Sequence, residues 1–392
     1  MQQTDNKLWT LAFIFITVSN ALVITIFEML LPTLPLFITK LGGGASQIGI
    51  VTGIFTLSAI LIRPFAGLLA TKFNKKYLLI GGIIVNALST GAYYLSSSIE
   101  MILFIRFIHG AGFGLVTTYF ATIAAEFIPR HRRGEGMGYF GLGEMIAVSI
   151  GPMIGILTLE LYDFQRLFLG GMAILILATL MAFVFKRTPE NIALDKETSI
   201  KITFVEKRVL FPAFLMVLVG IAAGSIMSFL SLYGLEKNFD QVGLFFFIMA
   251  AASFAIRLIS GRLFDLYGVP IILIPGAILS IMGFIILYVA ESTLMFSIAA
   301  ILYGFGFGAL FPAIQTWCMN LVEEHEHEGA MAMFLNAFDL GIGGGSLLLG
   351  IIAAVTSYQM IYMVAAIAYF FVLVAYMIYF VKIKRRINIA VV

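Results

Sequence analysis

Apolar runs and short polar breaks alternate along almost the whole chain. The runs fall at roughly 8–39, 46–70, 77–97, 99–126, 135–159 and 164–186, and again at roughly 208–233, 240–262, 269–290, 293–321, 328–355 and 357–381. A helix needs about 20 apolar residues to cross the hydrocarbon core of a bilayer. Each run approaches or exceeds that length, so the pattern predicts twelve transmembrane helices. The breaks carry Gly, Ser, Asn or charged residues, as tight interhelical loops do. One longer polar stretch, Lys186 to Arg208, holds the densest charge. It divides the chain into an N-terminal six-helix bundle over 1–186, a cytoplasmic linker over 187–207, and a C-terminal six-helix bundle with a short basic tail over 208–392.

The two halves match each other at a shift of 194 residues. Ser46-Gln47-Ile48-Gly49 returns as Asp240-Gln241-Val242-Gly243, and Arg63 and Gly67 return as Arg257 and Gly261. Gly110-Ala111-Gly112-Phe113-Gly114 returns as Gly304-Phe305-Gly306-Phe307-Gly308. After one inserted residue, Glu144 falls on Asp339. A duplicated apolar half with acidic residues repeated inside its spans points to a transporter built from two related bundles.

Composition narrows the class further. Of 392 residues, 61% are hydrophobic and 11% charged, and the mean hydropathy is +1.04. No soluble globular domain needs that much apolar surface. The single cysteine, Cys318, excludes a disulfide framework and any thiolate metal cluster. The first apolar run follows Lys7, contains Glu28 and lacks a small-residue cleavage site, so it reads as a retained helix rather than a signal peptide.

Basic residues set the expected orientation. Lys72, Lys75 and Lys76 lie between spans 2 and 3, and Arg130, Arg132 and Arg133 between spans 4 and 5. The linker and the tail residues Lys382, Lys384, Arg385 and Arg386 fall on the same side, against Lys40, Arg166 and Lys237 opposite. Both termini are therefore expected in the cytoplasm, in what the style of chain suggests is a bacterial cytoplasmic membrane. The loop Glu323-Glu324-His325-Glu326-His327-Glu328 departs from the pattern, but acidic residues weigh little in this rule. Its alternating His and acids admit a divalent-cation reading; a solvated acidic loop is the simpler one.

Glu28, Glu144 and Asp339 lie inside the spans, as do Arg63, Arg106, His109 and Arg257. Ionisable groups are expensive in hydrocarbon and face the bundle interior or a wet cavity. Counting the helical rise puts Glu144 and Asp339 about 15 Å deep, near the midplane, with Glu28 further towards the outside. A buried carboxyl favours its protonated form until exposure or a cationic substrate releases the proton, which is the chemistry of an antiporter. The alternative is a carboxylate fixed in an interhelical bond, for example with Arg106 or His109. Arg106, about 10 Å from the outer face, is placed to pair with an acid of span 1 or 5, either to aid proton release or as a structural clasp. Arg63 and Arg257 are explained by snorkelling to the interface or by bonding to a neighbouring helix end. Asn20, Tyr119 and Asn336 are candidates for a cavity lining.

These residues resemble the major facilitator superfamily, in particular its twelve-span drug:proton antiporter branch, over the whole chain. The loop 2–3 signature is matched by Gly67-Leu68-Leu69-Ala70-Thr71-Lys72-Phe73-Asn74-Lys75-Lys76, with Thr71 in place of the family's aspartate and Asn74 in place of its second glycine. The second-half copy, Gly261-Arg262-Leu263-Phe264-Asp265-Leu266-Tyr267-Gly268, keeps both. The resemblance implies that Asp265 clamps an inner gate. It also implies that Arg106, in Arg106-Phe107-Ile108-His109-Gly110, takes part in proton transfer. Gly143 and Gly151-Pro152-Met153-Ile154-Gly155 look like the family's antiporter motif, which accompanies export; ordinary helix packing by small residues is the plainer account. Pro32-Thr33-Leu34-Pro35 resembles the proline pair of the branch.

The reading is an all-α integral membrane protein of two six-helix bundles in inverted-repeat topology around a central cavity, working by alternating access. Its expected function is proton-coupled export of small amphipathic molecules, multidrug efflux included. Glu28, Glu144 and Asp339 are the coupling acids, Arg106 assists, and Gly151, Pro152 and Gly155 shape the interface between bundles. The alternative is a dedicated exporter of one metabolite, such as a metal-chelating metallophore or siderophore, with Arg106 and His109 binding its carboxylates. Nutrient uptake, and a sensor or scaffold without transport, fit the motif and the buried acids less well. Partners are a small-molecule substrate, protons and the bilayer, with the chain acting as a monomer. No phosphate-binding Gly-rich loop, nucleophile elbow or zinc-protease helix appears, so no enzyme activity, cofactor or metal is expected, and no nucleic-acid module is seen.

Overall fold

The structure, a computed structural model, describes residues 8–129, 132–185, 206–239, 242–323 and 326–390. Arg130, the linker up to 205, Asp240, Gln241, Glu324 and His325 lie outside the described residues. The chain divides into two compact units, Met1–Ile202 and Thr203–Val392. The first unit holds α1 (Leu11–Lys40), α2 (Ala45–Lys72), α3 (Lys75–Ala92), α4 (Ile99–Phe127), α5 (Arg133–Leu161) and α6 (Phe164–Val184). The second holds α7 (Leu210–Glu236), α8 (Val242–Tyr267), α9 (Pro270–Tyr288), α10 (Thr293–Asn320), α11 (His327–Val355) and α12 (Tyr358–Ala390). Among the described residues, these 12 helices are long and apolar enough to cross a membrane.

The helices pair alike within each unit. In the first, α1 packs on α5 and α6, α4 on α2 and α3, and α3 on α6. In the second, α7 packs on α11 and α12, α10 on α8 and α9, and α9 on α12. The repeated sequence therefore encodes a repeated set of contacts.

Starts and crossings repeat at the residue level too. Ser98 caps α4 by accepting the amide of Met101 at 3.3 Å, and Ser292 caps α10 through Met295 at the same distance. Such a side chain satisfies one of the amides a helix start leaves open. The alternating glycines of α4 and α10 face two neighbours. A Cβ on Gly110 would strike the carbonyl of Phe55 in α2, and one on Gly304 would lie 2.5 Å from the carbonyl of Met249 in α8. Gly112 and Gly306 turn instead to α3 and α9, against Asn86 and Ser280. Glycine at these positions lets one helix wedge tightly between two others.

Basic residues of the α2–α3 loop hold one end of the first unit. Asn74 caps α3, accepting the amide of Lys76 at 2.9 Å. Lys75 pairs with Glu126 of α4 at 3.4 Å. The Lys76 ammonium donates to the carbonyls of Phe183 and Phe185 at 2.8 and 2.6 Å, a cation at the C-terminus of α6. At the other end, the Lys40 ammonium stands over the Phe164 ring, 5.3 Å from its centroid. The matching second-half turn is built differently. Gly268 follows α8 with φ +74°, a left-handed conformation that glycine adopts freely, and donates to the carbonyl of Phe264 at 2.7 Å.

Candidate functional site

Several candidates gather where α1 meets α5. Gly143 turns towards Thr17 and Ala21, and a Cβ on it would sit 3.4 Å from Cγ2 of Thr17. One residue on, Glu144 Oε1 accepts a hydrogen bond from Asn20 Nδ2 at 2.9 Å. Two turns further, a Cβ on Gly151 would lie 2.6 Å from Cβ of Glu28 and 2.8 Å from the carbonyl of Thr25. A Cβ on Gly155 would lie 2.6 Å from the carbonyl of Met29. The contacts advance together along both helices, so α1 and α5 run parallel, with glycines setting their closest approaches. The sequence reading assigns Gly151, Pro152 and Gly155 to the interface between bundles. The atoms nearest a Cβ built on Gly151 or Gly155 belong to α1 of the same unit.

Glu28 is only 6% exposed and makes no hydrogen bond or ion pair among the described residues. Its helix carries Pro32 and Pro35, and α5 carries Pro152. Each proline removes one amide from its helix. Between Pro32 and Pro35 the Thr33 hydroxyl donates to the carbonyl of Met29 at 2.8 Å, which leaves the carbonyls of Glu28 and Leu31 as the ones these prolines deprive of a donor.

Arg106 and His109 form a second, separate cluster. Arg106 is 3% exposed, and its guanidinium lies 4.7 Å from the ring centroid of Phe55 in α2 and 5.7 Å from that of Tyr93, which follows α3. The Tyr93 hydroxyl and His109 Nδ1 share a hydrogen bond of 3.0 Å. The expected pairing of Arg106 with an acid of α1 or α5 does not occur: the side chain turns towards α2 and α3, where aromatic faces replace a carboxylate. Cation–π contact of this kind is worth about 2 kcal/mol when desolvated. It leaves Nε and Nη1 of Arg106 without acceptors. Phe27, beside Glu28, stacks on Phe55 and Phe113 at centroid distances of 5.2 and 4.2 Å and walls this cluster from the α1–α5 seam.

The remaining candidates are dispersed. Tyr119 is buried in α4 and donates its hydroxyl to the carbonyl of Ala66 in α2 at 2.7 Å, a packing contact inside the bundle. Asn336 and Asp339 are half-buried, one turn apart on α11. Gly67 is half-buried in α2, and Lys72 is exposed at its last turn. Gly261, Arg262 and Asp265 are exposed at the end of α8, and Asp265 makes no ion pair among the described residues.

Tyr93 and Phe55 escape a linear reading because nothing in their spacing marks them as partners of Arg106. The second-unit seam was open to view. Gly220-x-x-x-Gly224 and Gly341-x-x-x-Gly345 are small-residue pairs one turn apart. They bring α7 against α11: a Cβ on Gly345 would lie 2.6 Å from Cα of Ile221. Ser228 and Ser346 share a hydrogen bond of 2.9 Å on that seam, where the first unit carries acids.

Comparison with known proteins agrees with this architecture. The sequence profile of the Major Facilitator Superfamily matches residues 14–327 and 213–388. The multi-drug resistance efflux pump PmrA of Streptococcus pneumoniae is 26% identical over 304 residues, 73% of this chain and 75% of that protein. Its homolog in Lactococcus lactis is 28% identical over 85% of this chain and 86% of its own length. The multidrug resistance protein MdtG of Salmonella paratyphi B is 26% identical, covering 87% and 88%. Among solved structures, the nucleoside transporter NupG superposes with a TM-score of 0.76 at 16% identity, over 94% of this chain and 99% of that one.

Proposed function

Because the chain belongs to the major facilitator superfamily, and so is a multi-pass membrane transporter, we propose that it is a proton-coupled exporter of small amphipathic molecules, working by alternating access. The observation that carries this reading is Glu28: a buried acid without a counter-charge among the described residues, packed against the Gly151 motif. A carboxyl in such a place is expensive as a lone charge, so its charge state can follow proton supply and substrate. Relatives named as multi-drug resistance efflux pumps support export, and these together with one named a multidrug resistance protein support a broad substrate range. Basic residues clustered between α2 and α3 and between α4 and α5 support cytoplasmic termini. In this scheme Glu28, Glu144 and Asp339 exchange protons against cationic substrate, and Asp265 serves the inner gate.

The second reading, export of one anionic metabolite, rests on Arg106. Its two unmet donors would take a carboxylate once the surrounding rings move.

The test is the internal pH of proteoliposomes on adding a substrate panel, with the wild type beside a Glu28→Gln, Glu144→Gln, Asp339→Asn triple variant. Proton flux driven by several unrelated cationic drugs and lost in the variant is the expected result. Unchanged flux in the variant would remove the acids from the mechanism. Response only to a chelator or amino-acid-like anion would favour the second reading.

A further inference from the structure

The α1–α5 seam holds two acids in unequal circumstances. Glu28 has no hydrogen-bond partner among the described residues, whereas Glu144 has Asn20. Asn20 is 1% exposed and lies 124 positions away in sequence, so the contact exists only through the packing of α1 on α5. Gly143 fixes the approach beside it, against Thr17 and Ala21. An amide N–H donated to a carboxylate favours the ionised form over the acid. The carboxamide oxygen offers no comparable support, because a carbonyl can only accept, and only from the protonated acid.

We propose that Asn20 is a positioning residue that presents Glu144 as an oriented carboxylate, and that this makes Glu144 the group that receives the cationic end of an amphipathic substrate, leaving Glu28 to carry the proton. The assignment rests on the proton-coupled export reading and divides its labour between two acids. It follows from which groups face Glu144. From α1 come Asn20 and, two turns along, Glu28. On α4, Arg106 and His109 turn to Phe55 and Tyr93, Tyr119 bonds to α2, and Glu126 pairs with Lys75. On α6, Arg166 lies over Tyr162. On α5 itself, Glu135 pairs with Arg132 and Tyr139 lies tilted against Trp9, both more than one turn away. No described basic side chain is thereby spent on Glu144, and a substrate cation has a carboxylate to meet.

The experiment uses the full chain in nanodiscs with tetraphenylphosphonium, whose charge does not titrate, as the probe. Its binding is followed against pH in wild type, Asn20→Ala, Asn20→Ser, Glu144→Gln and the Asn20→Ala, Glu144→Gln double variant. In parallel, infrared difference spectra follow the protonated-carboxyl band that Glu144→Gln removes. Loss of the amide donor should move the midpoint of that band, and of binding, to higher pH by about one unit. In the Glu144→Gln background the Asn20 change should have no further effect. Equal weakening of binding at every pH would make Asn20 merely structural and overturn the proposal, as would a shift that persists without Glu144. A midpoint that moves in the infrared but not in binding would remove Glu144 from the substrate site. If both move while liposomes show no proton-driven efflux, Asn20 keeps its role and the export reading falls.

Discussion

Gly151 meets Glu28 so closely that a single methyl group on the glycine would come within 2.6 Å of the Cβ of the acid. The backbone of Thr25 closes the same space, so no rotamer change relieves the clash. Gly151→Ala should therefore force α5 away from α1, at about 1–3 kcal/mol. Gly143→Ala meets only Cγ2 of Thr17 at 3.4 Å and should be tolerated. Thermal unfolding and drug efflux of the two variants, side by side, check the contrast. Equal behaviour would show that the seam is looser than drawn.

The wedge glycines make a paired prediction. Gly110→Ala and Gly304→Ala each drive a Cβ into a backbone carbonyl, of Phe55 and Met249. Both should destabilise the protein by similar amounts, since they are the same crossing in two units. Gly261→Ala meets open space and should stay within about 0.5 kcal/mol of wild type. Unfolding midpoints in one detergent suffice to compare them.

Arg106 depends on Phe55 and Tyr93 rather than on an acid. A double-mutant cycle of Arg106→Met with Phe55→Leu should give a coupling of about 1–2 kcal/mol. The same cycle with Glu28→Gln should be close to additive. Strong coupling to Glu28 would place the guanidinium beside the acid instead.

At the start of the second unit, Arg208 bridges Glu206 at 2.8 Å and Glu326, at the N-terminus of α11, at 2.5 Å. The Arg208 hydrogen bond holds Glu206 below the usual carboxylate range, and a backbone amide at Glu323 together with Arg208 does so for Glu326. Lowered in the folded state, these groups contribute stability above the ordinary carboxylate range and lose it as the pH falls through their own lower values. Hydrogen exchange at 206–212 and 326–330 should thus quicken, after correction for intrinsic rates, as the pH drops below about 4. Glu326→Gln should produce part of that effect at neutral pH. The groups are exposed, so the change should be local and small.

Much of this was legible in the chain. The twelve apolar runs become α1 to α12, and the shift of 194 becomes matched caps, Ser98 with Ser292, and matched crossings, Gly110 with Gly304. These features are local or periodic, and periodicity survives in a linear string. The partner of Arg106 was not legible. A charged residue in a membrane suggests an opposite charge, but aromatic faces can satisfy it, and nothing in one dimension says which rings will meet it. The pairing of Asn20 with Glu144 was hidden for a related reason: both residues stand out as polar among apolar neighbours, yet only the facing of α1 and α5 joins them.

Pro32 stands four residues after Glu28 in α1, and a proline has no amide to give. The carbonyl of Glu28 therefore lacks the donor that an unbroken helix would supply, and Pro35 leaves Leu31 in the same position. The turn that bears the acid is the turn where α1 is held least by its own ladder. A bend there would tilt the rest of the helix and re-aim the carboxyl in one movement, which would make hinge and charge site the same few residues.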